Sequence, residues 1–270
     1  MITVSVVTYH TPPDELRQLF GSLSHVDASR IYVVDNGSSD YIRDFVTSRG
    51  AVYIPSDNVG YGAGHNKGMA RAKKDWPEMT QHLVVNTDIS FEPKALSDMS
   101  AFMSARPEIG CLQPKILSPD GSLQHTCRLL PTPFDLILRR FLPSGWFSRS
   151  RDRYLLKNLD PSKAWNIPYH QGSFMLLSRA AMDYAGGFDE RFFMYPEDID
   201  LTRRIHRRFV TLYWPGASVM HDHRAASYSS PRMLGIHIVN MIRYFNKHGW
   251  FCDGERRRFN AETGVAPYVD

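Results

Sequence analysis

Short apolar runs alternate with amphipathic stretches along the first half of the chain. The runs are rich in β-branched residues and end abruptly in polar ones, which is typical of strands buried on both faces. The predicted strands cover residues 2–8, 31–34, 51–54 and 82–86. Apolar residues at helical spacing predict helices over residues 14–24, 41–48, 65–74 and 94–105. Because strands alternate with helices, we predict an α/β fold with a mostly parallel, Rossmann-like central sheet and right-handed crossovers.

The second half of the chain is less regular. Further strands are predicted at residues 109–117, 173–177 and 211–214, and further helices at 199–208 and from 230 to about 247. We therefore divide the chain into a nucleotide-binding half (1–115), a second half of the same domain (116–229) and a C-terminal helix with a tail (230–270). The last ten residues are expected to be frayed.

Composition and charge indicate a soluble globular protein. The 270 residues are 43% hydrophobic and 22% charged, with a net charge of +4. No apolar run approaches the roughly 20 residues that span a bilayer, and the N-terminus lacks a basic leader. The three cysteines have no metal-like spacing, which favours reduced thiols and a cytoplasmic location.

A basic amphipathic stretch covers residues 134–154. Its aromatic and arginine residues are suited either to peripheral contact with an anionic membrane or to a solvated loop beside the acceptor site, and both interpretations stay open. Nucleic acid is not an expected partner, because no nucleic-acid motif accompanies the charge.

Polar residues at the strand ends are the first candidates for a binding site, because ligands of open α/β sheets bind outside the carboxyl ends of the strands. Asp88 follows the strand 82–86 and is placed to hold a divalent metal against a diphosphate; the alternative is a cap of the next helix. Asp35 follows the strand 31–34. It either accepts a hydrogen bond from the imide N–H of uracil or thymine, or closes an Asx-turn.

Glycines after the third strand form a loop at residues 58–64. A dinucleotide fingerprint requires such glycines after the first strand, and no phosphate-binding lysine loop is present, so dehydrogenase and P-loop folds are excluded. The glycine backbone permits close approach to a ligand, although a mobile surface loop is the alternative. Lys67 either reaches a phosphate or is a solvated helix lysine.

Two polar clusters lie further along the chain. Glu197 and Asp198 follow a run of aromatic residues, where desolvation would raise the pKa of a carboxylate and make it a better base for a sugar hydroxyl; helix capping is the alternative. Either His221 or His223 would complete the shell of a metal held by Asp88, with Arg224 beside them for an anion.

With these motifs laid out, the chain resembles the family-2 inverting glycosyltransferases with the GT-A fold, and most of all bacterial rhamnosyltransferases of O-antigen and other surface polysaccharides. The motifs occur in the family's order. They are Val4–Tyr9, Val33–Asp40, Asn58–Gly68, Leu83–Asp88, Gly172–Met175, Gly187–Leu201 and the segment around His221.

The resemblance implies roles for individual residues. Asp88 and His221 would bind Mg²⁺ or Mn²⁺, and Asp198 would be the catalytic base, with Glu197 beside it. The implied donor-binding residues are Thr8, Tyr9, His10, Asp35, Asn58, Gly60, Asn66, Lys67, Asn86, Thr87 and Arg224. Asn86 departs from the family, whose strict metal motif has an Asp at this position.

The implied activity is metal-dependent, inverting transfer of a sugar from a nucleotide-diphosphate donor to a saccharide or polyprenyl-diphosphate-linked acceptor, at the inner face of the membrane. dTDP-rhamnose is the expected donor and a UDP-sugar the alternative. A sugar-nucleotide pyrophosphorylase would need a basic phosphate loop after the first strand, which is absent. A non-catalytic carbohydrate-binding protein is the remaining rival.

Overall fold

The computed structural model describes residues 1–136, 148–222 and 231–269. Its strands are β1 (Ile2–Thr8), β2 (Ile31–Asp35), β3 (Val52–Pro55), β4 (Gln81–Val85), β5 (Ile89–Ser90), β6 (Ile109–Leu117), β7 (Cys127–Arg128), β8 (Trp165–Asn166), β9 (Tyr169–His170), β10 (Phe174–Ser178) and β11 (Val210–His221). Its helices are α1 (Pro13–Ser22), α2 (Asp40–Ser48), α3 (Tyr61–Asp75), α4 (Pro93–Ser104), α5 (Pro133–Leu136), α6 (Ser148–Tyr154), α7 (Arg179–Ala185), α8 (Glu197–His206), α9 (Pro231–His248) and α10 (Gly254–Glu262). A 3₁₀ turn covers Ala28–Arg30.

The central sheet has the strand order β3-β2-β1-β4-β10-β6-β11-β5, with β8 added to β11. The first four strands of this order are parallel, as the alternating pattern predicts. Strand β10 then runs antiparallel to both β4 and β6, while β6 and β11 are again parallel. The carboxyl ends of β1, β2 and β4 therefore lie at one edge, beside the point where the strand direction reverses.

Helix α3 begins at Tyr61, so the prediction that residues 58–64 form a loop is wrong for Gly62 and Gly64, which lie in its first turns. Both glycines are required for close packing. A Cβ atom on Gly62 would lie 2.8 Å from the Phe188 side chain, and one on Gly64 would lie 2.8 Å from Val7. Packing against the sheet thus overrides the low helix propensity of glycine.

Strand β11 is longer than the predicted strand at 211–214. It continues through a register shift between Trp214 and Ser218 and ends at His221, which pairs with Ile89. The shift carries the strand past Pro215 and Gly216, two residues that ordinarily interrupt a strand. This extension places His221 beside the loop that follows β4.

The C-terminal tail is ordered, and the expectation that the last ten residues fray is wrong for those described. The backbone N–H of Tyr268 donates to the Ala164 carbonyl at 2.8 Å, and its hydroxyl donates to Glu108 at 2.6 Å. Helix α10 was not predicted, because its burial depends on contacts distant in sequence. No helix in the described ranges is both long and apolar enough to cross a bilayer.

Candidate active site

Asp35 and Thr8 end neighbouring strands in register, as predicted, but the carboxylate of Asp35 is already satisfied. It is fully buried. Oδ1 accepts hydrogen bonds from the Thr8 hydroxyl and the Gly37 N–H, both at 3.0 Å, while Oδ2 accepts from the Ser39 N–H at 2.7 Å and the Tyr53 hydroxyl at 3.1 Å. Four donors occupy its lone pairs. These backbone contacts match the Asx-turn that was the alternative interpretation of Asp35. A contact of Asp35 with a nucleobase stays a prediction.

Tyr9 and His10 flank this turn on the solvent side. Tyr9 is 54% exposed, and its ring lies 4.2 Å from that of His10, which has φ of +51°. The backbone N–H of His10 is close to Gly37, because a Cβ atom there would lie 3.4 Å from it. Both rings are accessible to a ligand at this edge, and their role in donor binding stays a prediction.

The amide of Asn66 is engaged by the protein itself. Its Oδ1 accepts from the Phe188 N–H, and its Nδ2 donates to the Phe188 carbonyl and to Glu190, all at 2.9 Å. Asn66 therefore holds the chain before α8 in this structure, and its contact with a donor stays a prediction. Lys67 is exposed and donates to Ser56 at 2.6 Å.

Asn58 and Gly60 shape the start of α3. The Gly60 N–H donates to Asn58 Oδ1 at 3.4 Å, and Gly60 has φ of +93°. A Cβ atom on Gly60 would lie 2.1 Å from the Phe193 carbonyl oxygen, so only glycine fits between the loop and this segment. This packing joins residues 58–60 to the chain that precedes α8.

Asp88 and His221 face each other across a short gap. His221 Nε2 lies 3.3 Å from Asp88 Oδ1, and within the described residues that oxygen accepts no hydrogen bond. The other ring nitrogen, Nδ1, lies 2.9 Å from Gln124 Oε1. The Gln124 amide group in turn donates to Ser118 and to the His221 carbonyl.

This arrangement indicates the tautomer of His221. Because the Gln124 NH₂ group is used as a donor, its oxygen is the atom that faces the ring, and Nδ1 must carry the proton. In the neutral ring, Nε2 then presents a lone pair to the carboxylate of Asp88, whereas in the doubly protonated ring it would donate to that carboxylate. Two acceptors at 3.3 Å are the arrangement that a cation bridges, and a glutamine that fixes the ring supports such a ligand.

The pair fits a divalent cation only as part of a larger shell. The described residues contain no group of three or more His, Cys, Asp or Glu side chains suited to a metal. Magnesium in particular is usually held by one or two protein groups and completed by water and substrate phosphates. His223 and Arg224 lie outside the described residues.

Tyr61 connects the end of β4 with the backbone that supports Asp198. Its hydroxyl lies 2.6 Å from the Gly172 carbonyl and 2.9 Å from Asn86 Oδ1, while the Gly172 N–H donates to Asp198 Oδ2 at 3.0 Å. Burial first, then the charges of Glu197, Asp198 and Asp88, raise the pKa of Tyr61 well above its usual 10. Tyr61 therefore stays protonated between the predicted base and the predicted metal ligand.

Asn86, where the family motif has an Asp, has a structural partner in Tyr61. Its backbone N–H also donates to the Ser173 carbonyl at 2.9 Å, so the residue fixes β4 against the neighbouring β10. Thr87 donates from its hydroxyl to Glu15 at 3.2 Å. The role of both residues in donor binding stays a prediction.

Glu197 and Asp198 form the first turn of α8 and have different surroundings. Asp198 is partly accessible, and its two oxygens accept from the Gly172 N–H at 3.0 Å and the Ile199 N–H at 2.7 Å. Burial raises its pKa above the usual 3.8, whereas the two N–H groups and Arg128 lower it. Glu197 is 5% exposed, its Oε2 has no hydrogen-bond partner among the described residues, and burial raises its pKa well above 4.5.

A cavity of about 420 Å³ opens in front of Asp198. Gln124, which holds His221, lies in its wall, so the cavity extends towards Asp88 and His221. Arg128 and three tyrosines also line it. A pocket of this volume is large enough for a monosaccharide with its substituents.

The sequence analysis missed Tyr61, Gln124 and Arg128. Tyr61 opens the glycine-rich helix, and its position after Gly60 was the one available signal. Gln124 and Arg128 lie in an irregular segment without periodicity, and their partners are distant in sequence: Gln124 contacts His221, 97 positions away.

Comparison with known proteins identifies the family and the fold. The family "Glycosyl transferase family 2" matches residues 3–185. The chain is 31% identical to the N-acetylglucosaminyl-diphospho-decaprenol L-rhamnosyltransferase of Mycobacterium tuberculosis, over 93% of this chain and 86% of that protein.

Two solved structures share the fold. GalNAc-T7 with UDP, GalNAc and Mn²⁺ has a TM-score of 0.62 and 13% identity; the match covers 91% of this chain but only 48% of that one. A mannosyltransferase of Pyrobaculum calidifontis in complex with GDP-Man and Mn²⁺ has a TM-score of 0.59 and 15% identity, covering 96% of this chain and 72% of that one.

Proposed function

The chain belongs to glycosyl transferase family 2, is a hexosyltransferase and has the GT-A fold, and from that premise we propose its reaction. It moves rhamnose from dTDP-rhamnose to a sugar carried on a polyprenyl diphosphate, with inversion at the anomeric carbon, during synthesis of a bacterial surface polysaccharide. The rhamnosyltransferase relative, whose name includes a decaprenol-linked acceptor, supports the choice of rhamnose and of a lipid-linked acceptor. A UDP-sugar is the alternative donor.

One observation carries the proposal: Asp88 and Asp198 both lie near enough to Tyr61 for their charges to raise the pKa of its hydroxyl, while Asp88 faces His221 at 3.3 Å. The pair is adjacent to the carboxyl ends of the parallel strands, where a nucleotide diphosphate would bind. Asp198 faces the cavity from the first turn of α8. A donor held at one side would present its anomeric carbon to an acceptor held at the other.

Asp198 would remove the proton from the acceptor hydroxyl while that oxygen attacks the anomeric carbon. The two backbone N–H groups orient its carboxylate, and its raised pKa strengthens it as a base. Asp88 and His221 would hold Mg²⁺ or Mn²⁺, whose charge would stabilise the departing nucleoside diphosphate. Both relatives of known structure were solved with Mn²⁺, which supports divalent metal use.

The location follows from the acceptor. A polyprenyl-linked sugar remains in the membrane, so the enzyme would work as a peripheral protein at the cytoplasmic face. The predicted basic stretch 134–154 is one candidate for that contact, although residues 137–147 lie outside the described part of the chain.

The test measures transfer from dTDP-rhamnose to N-acetylglucosaminyl-diphospho-polyprenol by mass spectrometry. Asp198→Asn should lower kcat by about 10²- to 10⁴-fold, the usual loss on removal of a general base, with dTDP binding unchanged. Asp183→Asn is the matched control, because Asp183 is half exposed and contacts Lys73 and Arg179 away from the cavity. Undiminished turnover by Asp198→Asn would reject the assignment of the base.

The metal is tested separately by calorimetry of dTDP binding with Mn²⁺ or with EDTA. EDTA should weaken binding to the unaltered protein, and Asp88→Ala should remove the difference between the two conditions. Absence of transfer and of hydrolysis with every member of a nucleotide-sugar panel would instead favour a carbohydrate-binding protein of the same fold.

A further inference from the structure

Arg128 lies in the wall of the cavity in front of Asp198. It ends the short strand β7, where it pairs with Tyr169 of β9, and its guanidinium lies 5.7 Å from the centre of that tyrosine ring. Its Nε–H donates to the His125 carbonyl at 3.0 Å. That bond uses one of the five N–H donors of the guanidinium.

Two other arginines of low exposure have carboxylate partners within salt-bridge distance. Arg203 is paired with Asp253 at 2.7 Å and with Glu255 at 2.7 Å. Arg204 contacts Asp200 at 2.8 Å. These contacts follow the general rule that a buried charge is paired.

Arg128 is the exception to this rule. Within the described ranges no carboxylate oxygen comes within the 4.0 Å of a salt bridge to it. The charge of Asp198 acts on Arg128 from a longer distance, and Tyr154 is a further side-chain hydrogen-bond partner. A largely desolvated guanidinium in a cavity wall that forms no close ion pair is suited to bind an anion of a ligand.

The position of Arg128 indicates which part of a ligand this would be. The reacting hydroxyl of an acceptor must contact Asp198, so the surrounding cavity holds the acceptor sugar. Tyr154 and Tyr169 line the same space, and aromatic side chains pack well against the apolar faces of sugars. Arg128 is near enough to Asp198 for its charge to lower the pKa of that carboxyl.

We propose that Arg128 binds the phosphate group attached to the acceptor sugar, so that this cavity selects a sugar phosphate over a neutral sugar. The inference rests on the proposed function and adds the residue that recognises the anionic acceptor. The same phosphate chemistry is also present in the donor nucleotide, which is expected beside Asp88 and His221. The experiment therefore has one arm for each source.

Binding is measured first, without turnover, by calorimetry of three probes. N-acetylglucosamine 1-phosphate should bind the unaltered protein more tightly than N-acetylglucosamine. In Arg128→Gln this preference should fall by about 10- to 100-fold, the loss expected for a charge-assisted hydrogen bond, while dTDP binding with Mn²⁺ stays the same. Arg43→Gln, which alters an exposed arginine of α2, is the control.

Transfer is measured next, to the diphosphate-linked acceptor and to a neutral alkyl N-acetylglucosaminide. Arg128→Gln should lower kcat/KM for the diphosphate acceptor by a similar factor and leave the neutral acceptor nearly unaffected on the alkaline plateau of the pH profile. The plateau matters because loss of Arg128 also raises the pKa of Asp198.

Two other outcomes would overturn the inference, and a third would contradict the proposed function alone. An equal loss for both acceptors would make Arg128 a positioning residue for Asp198. A loss of dTDP affinity would assign it to the donor. Selective sugar-phosphate binding without any transfer would contradict the proposed function while leaving the site at Arg128 intact. Thermal unfolding of Arg128→Gln and Arg128→Lys distinguishes all of these results from misfolding of the variant.

Discussion

Gln124 fixes the imidazole of His221, with its side-chain oxygen 2.9 Å from Nδ1. The same glutamine is held by Ser118 and by the carbonyl of His221 itself. The position of a predicted metal ligand is therefore set by a residue that comes 97 positions earlier in the chain.

We predict that Gln124→Leu weakens the binding of Mn²⁺ in the presence of dTDP by about 10- to 100-fold, the usual effect of removing a residue that orients a ligand. The ring would lose the acceptor that keeps the proton on Nδ1, so Nε2 would be free to carry it and to repel a cation. Calorimetric titration with Mn²⁺ measures the change. Gln18→Leu, on the exposed side of α1, is the control; equal Mn²⁺ affinity in all three proteins would contradict the role of Gln124.

Tyr61→Phe should lower kcat without a large change in donor KM. The substitution removes the hydroxyl that joins Asn86 to the Gly172 carbonyl, and through Gly172 the support of Asp198. A buried carbonyl without its partner costs about 1–3 kcal/mol, so the free energy of unfolding should also fall. Steady-state kinetics and urea denaturation give both quantities, with the exposed Tyr41→Phe as the control. Loss of stability with unaltered kcat would show that the contact is purely structural.

Glu197→Gln should remove a pH dependence of stability. Because burial raises the pKa of Glu197 in the folded state, its contribution to stability is fully present below the unfolded pKa of about 4.5 and is lost as the pH rises through the folded value. The free energy of unfolding should therefore fall with rising pH in the unaltered protein and fall less steeply in Glu197→Gln. Urea denaturation over a pH series measures this, with the exposed Glu262→Gln as the control. Parallel curves for all three proteins would refute the buried protonated state.

Asp253→Ala should strongly destabilise the protein. The Asp253 carboxylate forms two hydrogen bonds with Arg203, at 2.7 and 2.8 Å, and also accepts from the Arg256 N–H at the start of α10. Removing one partner of a buried ion pair costs about 3–5 kcal/mol, because the other charge is left uncompensated.

Denaturant unfolding measures this cost, and Glu262→Ala at the exposed end of the same helix should leave stability nearly unchanged. Helix α10 should also become susceptible to limited proteolysis in Asp253→Ala. A loss below about 1 kcal/mol would mean that Glu255 alone holds Arg203.

The sequence by itself determined the strands of the first half and the edge at which their polar ends meet. A buried strand leaves a local signal, a short apolar run that stops at a polar residue, and parallel strands share one carboxyl edge. Thr8, Asp35 and Asp88 could therefore be assigned to that edge before any coordinates. Glu197 and Asp198 at the start of α8 were also found locally, from the aromatic residues before them.

Only the tertiary structure decided how those residues are supported. Gly62 and Gly64 lie in a helix that packs so closely against β1 and Phe188 that a side chain would not fit at either position. The helix propensity of glycine does not reveal this tertiary contact. Gln124, Tyr61 and Arg128 contact residues that only folding brings close to them. The polar groups of Asn66 and Asp35 are likewise hydrogen-bonded to residues distant in the sequence. Periodicity is a property of neighbouring residues, whereas the satisfaction of a buried polar group depends on segments that are far apart in the chain.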